Sequence, residues 1–350
     1  MNDKRKALVI LTPGFPKDEQ DTTCLPFLQD YLNAFARLHP EIKIFVIAFQ
    51  YPFKKGNYKW NGVNVYSGGG GTKYLNRLFV WNRIYRHLKQ LHYENTIIAV
   101  HSFWLTGCTL VAQRFCKKSG IKHVAYAIGQ DVLKTNRYLS LLDYSKMKVA
   151  AMSESIAKKF GEQTGRSAQY IIASGVNMDK IDNDNNRRDI DIIGVGALIP
   201  LKNYTLFIDL VNSLKADFQN IKACIIGKGE LEKPLKEKIL SDGLQNNLQL
   251  EGEVTHKEVF HYLSKSKIFL HTSTYEGQST VISEALACGL NVVCFDIGRI
   301  DVKDKVNVCK TEREMIETLK KLLSSELTYK PALLRTPEDM VNDFMKVYEE

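Results

Sequence analysis

Short apolar runs alternate with helical spacing along the whole chain. Residues 7–11 are uninterruptedly apolar, the pattern of a strand buried on both faces. Leu25, Leu28, Leu32, Phe35 and Leu38 then recur at helical intervals, and Pro40 closes that helix. Further strands are predicted at 42–49, 63–66, 96–100, 123–128 and 148–152, with helices over 74–91, 105–118 and 153–163. The polar stretch 182–191 interrupts the series, and the alternation restarts after it. Strands are predicted at 192–195, 223–226, 248–250, 268–271 and 291–295, with helices at 203–217, 231–240, 256–264 and 279–287. Such βαβ alternation predicts parallel sheets with helices on both faces. A length of 350 residues is long for one core, so two α/β domains are expected, 1–175 and 176–330, followed by a tail at 331–350.

In open α/β sheets ligands sit outside the carboxyl ends of the strands. Two such sheets facing one another are expected to make a cleft, so the residues that follow strands are the ones to inspect.

Charge changes this picture in one respect. Residues 1–175 carry 25 Lys+Arg against 11 Asp+Glu, +14, and residues 176–350 carry 23 against 28, −5; together these give the formal +9. A basic first half fits an anionic partner: a membrane surface, a phosphorylated lipid acceptor or nucleic acid. It fits plain solubility equally well. Lys73, Arg77, Arg83, Arg86 and Lys89 in the helix at 74–91 and just before it do not form one stripe, so no membrane-surface helix is predicted there. Aromatic residues do not interleave with basic ones as in a nucleic-acid module, and no nucleic-acid partner is expected. The seven cysteines lie in apolar segments with no Cys-x-x-Cys, as expected of reduced core residues. No apolar run is long enough to cross a bilayer, and the run at 7–11 is followed at once by Pro13, Pro16, Lys17, Asp18 and Glu19, unlike a leader peptide. The chain is therefore expected in the cytoplasm, with the inner face of the membrane as a place where it could be peripheral.

The most informative segment runs from His271 through Glu276, Gly277, Gln278, Ser279, Thr280 and Glu284 to Gly289. A strand ends, a polar loop carries Glu276-Gly277, and a helix opens near Ser279. The free amides of a helix start form an anion site. A nucleotide-sugar diphosphate placed there would have one carboxylate within reach of its sugar hydroxyls and the other within reach of its ribose. The same residues also describe a capped helix start with an ordinary exposed glutamate, and the residues alone leave both open.

This segment resembles the Glu-x7-Glu signature of retaining glycosyltransferases of family 4, which have the two-domain GT-B fold. The resemblance extends to Val195-Gly196-Ala197-Leu198-Ile199-Pro200-Leu201-Lys202, to Ile226-Gly227-Lys228-Gly229-Glu230 and to Gly252-Glu253-Val254. It reaches back to Ser153-Glu154 and to Ser174-Gly175-Val176-Asn177. It implies that Glu276 holds donor-sugar hydroxyls, Glu284 the ribose and Lys202 the leaving diphosphate, with the amides of Gly277 to Thr280 sharing that anion. Gly227, Lys228 and Val254 fall on the base side. It implies a nucleotide-diphosphate sugar as donor, no metal and no other cofactor, and a glycan or lipid-linked acceptor in cell-surface polysaccharide or glycolipid synthesis, at the inner face of the membrane. The tail, a helix opening near Thr336, is implied to return to the first domain.

Three departures stand out. The family's usual Arg is Ala197 here, with Lys228 or Arg299 as substitutes. The family's His before Gly-x-Asp is Ile128, so His101, directly after the strand at 96–100, is expected to act in its place, with Asp131 on the acceptor side. The family's first Gly-Gly is replaced by Thr12-Pro13-Gly14, where Gly14 still lets backbone approach a phosphate. The glycine run at 68–71 lacks P-loop spacing and is expected to be a mobile loop. These departures keep two alternatives open: an epimerase or hydrolase of the same fold, and a non-catalytic nucleotide-sugar-binding subunit.

Overall fold

The computed structural model describes residues 4–71, 77–181, 187–296, 305–332 and 334–350. They form two units, one of Met1–Gly175 with Arg335–Glu350 and one of Val176–Leu334. The return to the first unit falls at 334/335, a few residues beyond the predicted 330.

The first unit contains β1 (Lys6–Gly14), α1 (Pro26–Leu38), β2 (Lys43–Tyr51), β3 (Gly56–Trp60), β4 (Val63–Ser67), α2 (Arg77–Glu94) and β5 (Thr96–Phe103). It continues with α3 (Gly107–Ser119), β6 (His123–Ala127), β7 (Lys148–Ala151), α4 (Glu154–Thr164) and β8 (Tyr170–Ile171). These eight strands form one sheet, ordered β3-β4-β2-β1-β5-β6-β7-β8. Among the described residues the β3–β4 pair alone is antiparallel; the other pairs are parallel, as the continuous apolar runs of β1 and β5 require of strands covered on both faces. The hairpin was not anticipated. Asn61 and Gly62, both at positive φ, make its two-residue turn.

The glycines at 68–71 are not a free loop. Their amides continue the register of β2: Gly68 donates to Ala48 O, Gly70 to Phe49 O and Gly71 to Gln50 O.

The second unit contains β9 (Ile190–Val195), α5 (Tyr204–Lys215), β10 (Ala223–Ile226), α6 (Glu232–Ser241), β11 (Leu248–Gly252) and α7 (His256–Ser264). It ends with β12 (Ser266–His271), α8 (Thr280–Ala287), β13 (Asn291–Phe295), β14 (Val306–Cys309) and α9 (Glu312–Leu323). Its parallel sheet runs β11-β10-β9-β12-β13-β14. Counted within the unit, this is the order 3-2-1-4-5-6 of a dinucleotide-type fold, and the order reverses between β9 and β12.

The last helix, α10 (Pro337–Glu349), starts with a capping box between Thr336 and Asp339 and Pro337 in its first turn. Its buried face, Met340, Val341, Phe344, Val347 and Tyr348, joins α1 and β5 in the core of the first unit. The chain leaves and re-enters this unit at adjacent points: a Cβ on Gly175 would lie 2.0 Å from the carbonyl carbon of Thr336.

Candidate functional site

The switch point between β9 and β12 brings together the candidate residues Lys202 and Glu276. After β9 the chain makes a tight turn, Pro200–Lys202, and Asn203 in the left-handed region starts α5. After β12 it runs alongside that turn: Thr272 Oγ1 donates to Lys202 O (2.9 Å), and Thr274 N to Leu201 O (2.9 Å). These bonds bring two side chains together from positions 74 residues apart. Lys202 Nζ lies 2.5 Å from Glu276 Oε1, and both side chains are largely buried, at 18% and 14% exposure.

His271, the last residue of β12, is the third member. Its Nε2 is 3.2 Å from Glu276 Oε1 and also 3.2 Å from the hydroxyls of Ser273 and Ser279. Burial by itself would push the Glu276 carboxyl up. The hydrogen bond from His271 and the charge of Lys202 outweigh that and hold it down at about 2. Burial pushes the His271 imidazole down, so Lys202 is the cation that balances Glu276.

The helix that follows starts where the sequence indicates. Ser279 is the N-cap of α8, but its side chain does not cap the helix; the hydroxyl instead contacts His271. A helix start without a side-chain cap thus lies four residues after Glu276, where its dipole favours negative charge. Gly277 and Ser279 are buried, and Gln278 and Thr280 partly exposed.

One turn into α8, Glu284 Oε1 is 2.8 Å from His256 Nε2, and His256 Nδ1 is 3.1 Å from Lys180 Nζ. An ammonium only donates, so Nδ1 accepts and the imidazole proton sits on Nε2, donated to Glu284. Neither His256 nor Lys180 was singled out from the sequence. The signal was present in Thr255 and Glu258, whose capping box puts His256 at the start of α7, just after β11.

On the far side of the sheet, Gly227 follows β10 at φ 151°, and a Cβ there would lie 1.9 Å from Gly196 O. Gly227 N donates to Gly252 O (2.8 Å) and Gly196 N to Ile226 O (2.9 Å), so the ends of β9, β10 and β11 are stitched together. Lys228 and Ala197 are exposed on these loops, and Val254 is half-buried. Arg299, the other candidate substitute for the missing arginine, lies outside the described residues.

Three candidates fall in the first unit, and two of them are corrections. His101 does not stand at a surface: it is fully buried, with Nδ1 2.6 Å from Tyr348 Oη and its ring packed on Phe103 and Phe344. The C-terminal helix α10 covers the strand position that the sequence pattern left open. Asp131 is also buried. Its carboxylate accepts from Leu105 N (2.8 Å), Ile128 N (3.1 Å) and Gly129 N (2.6 Å), so it pins two loops and has no face toward an acceptor. Gly14 ends β1 in the wall of a cavity within the first unit.

Burial pushes the imidazoles of His101 and His123 down, His123 to about 3. Each is neutral when folded and has a higher pKa, near 6.5, when unfolded, so acid favours the unfolded chain. Their contribution is complete above about pH 6.5 and is lost as pH falls toward their folded values. The urea midpoint of the first unit is therefore expected to drop between about pH 7 and pH 5, and His123→Gln to flatten the drop. A midpoint unchanged over that range would count against both histidines.

The strand order of the second unit is that of dinucleotide-type folds, and solved structures share the fold. HepE from Anabaena, solved in complex with UDP and glucose, is similar over 99% of this chain and 95% of its own, with a TM-score of 0.68 at 16% identity. The molecule has the GT-B glycosyltransferase fold. Residues 177–333, just under half of the chain, match the family model described as glycosyl transferases group 1.

Among curated proteins, the phosphatidylinositol N-acetylglucosaminyltransferase GPI3 subunit of Saccharomyces cerevisiae is 30% identical over 115 residues, 33% of this chain and 25% of that protein. The N-acetylgalactosamine-N,N'-diacetylbacillosaminyl-diphospho-undecaprenol 4-alpha-N-acetylgalactosaminyltransferase of Campylobacter jejuni is 35% identical over 118 residues, 31% of this chain and 28% of its own length. The chain thus spans about a quarter of the length of these curated relatives.

Proposed function

We propose that the chain transfers a sugar from a nucleoside-diphosphate sugar to a lipid-linked or glycan acceptor, with retention at the anomeric carbon and without a metal ion. The observation that carries this is the Lys202–Glu276 pair at the switch point beside the uncapped start of α8. Lys202 and the amides of Gly277 to Thr280 neutralise the diphosphate as it leaves, the positive potential a divalent cation would otherwise supply. Glu276, ionised at neutral pH, takes the donor-sugar hydroxyls, and Glu284 takes the ribose. Gly227 and Val254 line the base through backbone groups. Of the carboxylates named here, Glu276 is committed to Lys202 and His271, so a covalent glycosyl intermediate is not assigned, and attack occurs on the face the diphosphate leaves. The UDP-bound HepE structure supports a nucleotide-sugar donor, and the names of the two relatives support an acceptor carried on a lipid. Work on such an acceptor puts the chain at the cytoplasmic face of a membrane as a peripheral protein.

The test is to incubate the protein with UDP- and GDP-sugars and polyprenyl-diphosphate-linked or phosphatidylinositol acceptors. The anomeric configuration of the product is then read by NMR, with and without EDTA. A glycoside of unchanged configuration, formed equally in EDTA, is expected; an inverted product or loss of turnover in EDTA would remove the corresponding part of the proposal.

His256→Leu leaves Glu284 without its donor, and nucleoside diphosphate affinity is expected to fall by about 1–3 kcal/mol. The drop is read by calorimetry; unchanged affinity would take Glu284 off the ribose.

A further inference from the structure

The first unit holds a cavity of about 580 Å³ at the carboxyl ends of β1 and β2 and just past β5. The strand order of that sheet reverses between β1 and β5, so this is its own ligand-binding position. The walls are aromatic and apolar: Phe49, Tyr51, Val80, Trp81, Trp104 and Tyr138. Among the described residues lining it, Arg77 is the single charged one, and it donates to Tyr138 Oη (3.3 Å).

Two observations mark the cavity as built rather than left over. Among the described residues, four non-glycine residues have positive φ: Leu25 (55°), Asn61 (43°), Trp104 (63°) and Asn203 (49°). Asparagine tolerates that region; leucine and tryptophan are strained there, and both of these line this cavity. Trp104 is held in place by its N–H on Tyr126 O (2.9 Å) and by Thr109 Oγ1 donating to its carbonyl (2.7 Å). Trp81 is fixed just as closely: a Cβ on Gly107 would lie 2.5 Å from its ring.

The surroundings show what such a cavity receives. Leu78 and Phe79, between the lining residues Arg77 and Val80, are 73% and 77% exposed. Phe53 is 68% exposed, and its ring stands 5.3 Å from that of Tyr51. A bare sugar requires several hydrogen-bonding groups on the wall; here the Tyr51 hydroxyl donates to Asp21 and that of Tyr138 accepts from Arg77, and Gln50 and Thr106 are further polar side chains beside Arg77 on a mainly apolar lining. A hydrocarbon chain matches the aromatic lining and the apolar residues beside it, and an anionic group matches Arg77.

We propose that the cavity takes the hydrocarbon part of an amphipathic phosphate, with the phosphate at Arg77. This is the lipid end of the acceptor. The claim rests on the transferase reading for the reaction but not for the binding itself.

Calorimetric titration of the full chain with dodecyl phosphate, below its micellar concentration and without donor, tests it. Saturable binding is expected, about tenfold or more tighter than that of ethyl phosphate or methyl glucoside. Trp104→Gly places a residue at ease with φ 63° and empties one wall; relief of strain offsets part of the lost ring contacts with Phe27 and Phe103, and dodecyl phosphate should weaken about tenfold while the chain stays folded by circular dichroism. Gly14→Leu is a second variant: its Cβ would start 3.5 Å from Tyr51 Cβ and 3.9 Å from Cys24 Sγ, among the lining residues, and should block the chain. Arg77→Gln should weaken dodecyl phosphate more than neutral dodecyl maltoside. Equal affinity for ethyl phosphate or methyl glucoside, absence of saturation, or indifference to both Trp104→Gly and Gly14→Leu would each overturn the proposal. If dodecyl phosphate binds as stated while no donor is ever transferred, the transferase reading fails and the cavity assignment stands.

Discussion

Lys202→Ala is expected to lower kcat about 10²- to 10³-fold, the loss seen when one fixed group that stabilises transition-state charge is removed. It should also destabilise the second unit by about 1–3 kcal/mol, because Glu276 keeps its burial and loses its counter-charge. Glu276→Gln is the informative partner. In the free protein Glu276 and an incoming diphosphate compete for the same ammonium, 2.5 Å from the carboxylate. Removing the negative charge should therefore leave affinity for a bare nucleoside diphosphate equal or higher while turnover falls. Steady-state kinetics with calorimetric titration of the diphosphate separate the two effects. If Lys202→Ala turns over normally, or Glu276→Gln binds the diphosphate much more weakly, the roles assigned to the pair are wrong.

Gly227→Ala should be the most damaging small substitution in the second unit. The new methyl would be forced to 1.9 Å from Gly196 O, at a φ of 151° that L-residues rarely adopt. Strain and displacement together are expected to remove about 3 kcal/mol or more, or roughly 6–12 °C in the melting of a unit this size. Gly252→Ala is the control. Its φ is 79°, but nothing lies within 4 Å of the added carbon, so only the backbone term of about 1–2 kcal/mol applies. Differential scanning calorimetry of the two variants makes the comparison. Equal melting temperatures would mean that the contact with Gly196 relaxes freely.

The parts of the fold that could be read from sequence were those whose burial is local. β10, α7 and β13 fall at the predicted residues because their apolar positions repeat within a few residues. β3 was missed because its exposed, lysine-bearing alternation carries little apolar signal and only Asn61-Gly62 announces the turn. Leu25 has the spacing of the α1 face but lies outside the helix, as its left-handed cap and a wall of the cavity. The same distinction holds at the site. The positions of Glu276, Glu284 and the helix start follow from one contiguous segment. His256 and Lys180 required knowledge of which loops meet, and no local pattern supplies it. His101 departs from the sequence expectation for a related reason. A strand end is open only if nothing later in the chain covers it, and α10, 247 residues after His101 at the Tyr348 contact, does so.

That late helix has a consequence for biosynthesis. The core of the first unit includes Phe344 and Tyr348, so it cannot close until the whole of Val176–Leu334 has been translated. During elongation the second unit, whose strands and helices are consecutive in the chain, is free to fold first, while α1 and β5 wait with their apolar faces uncovered. A chain ending at residue 334 would carry one finished unit and one unfinished one, the species that chaperones should find most attractive.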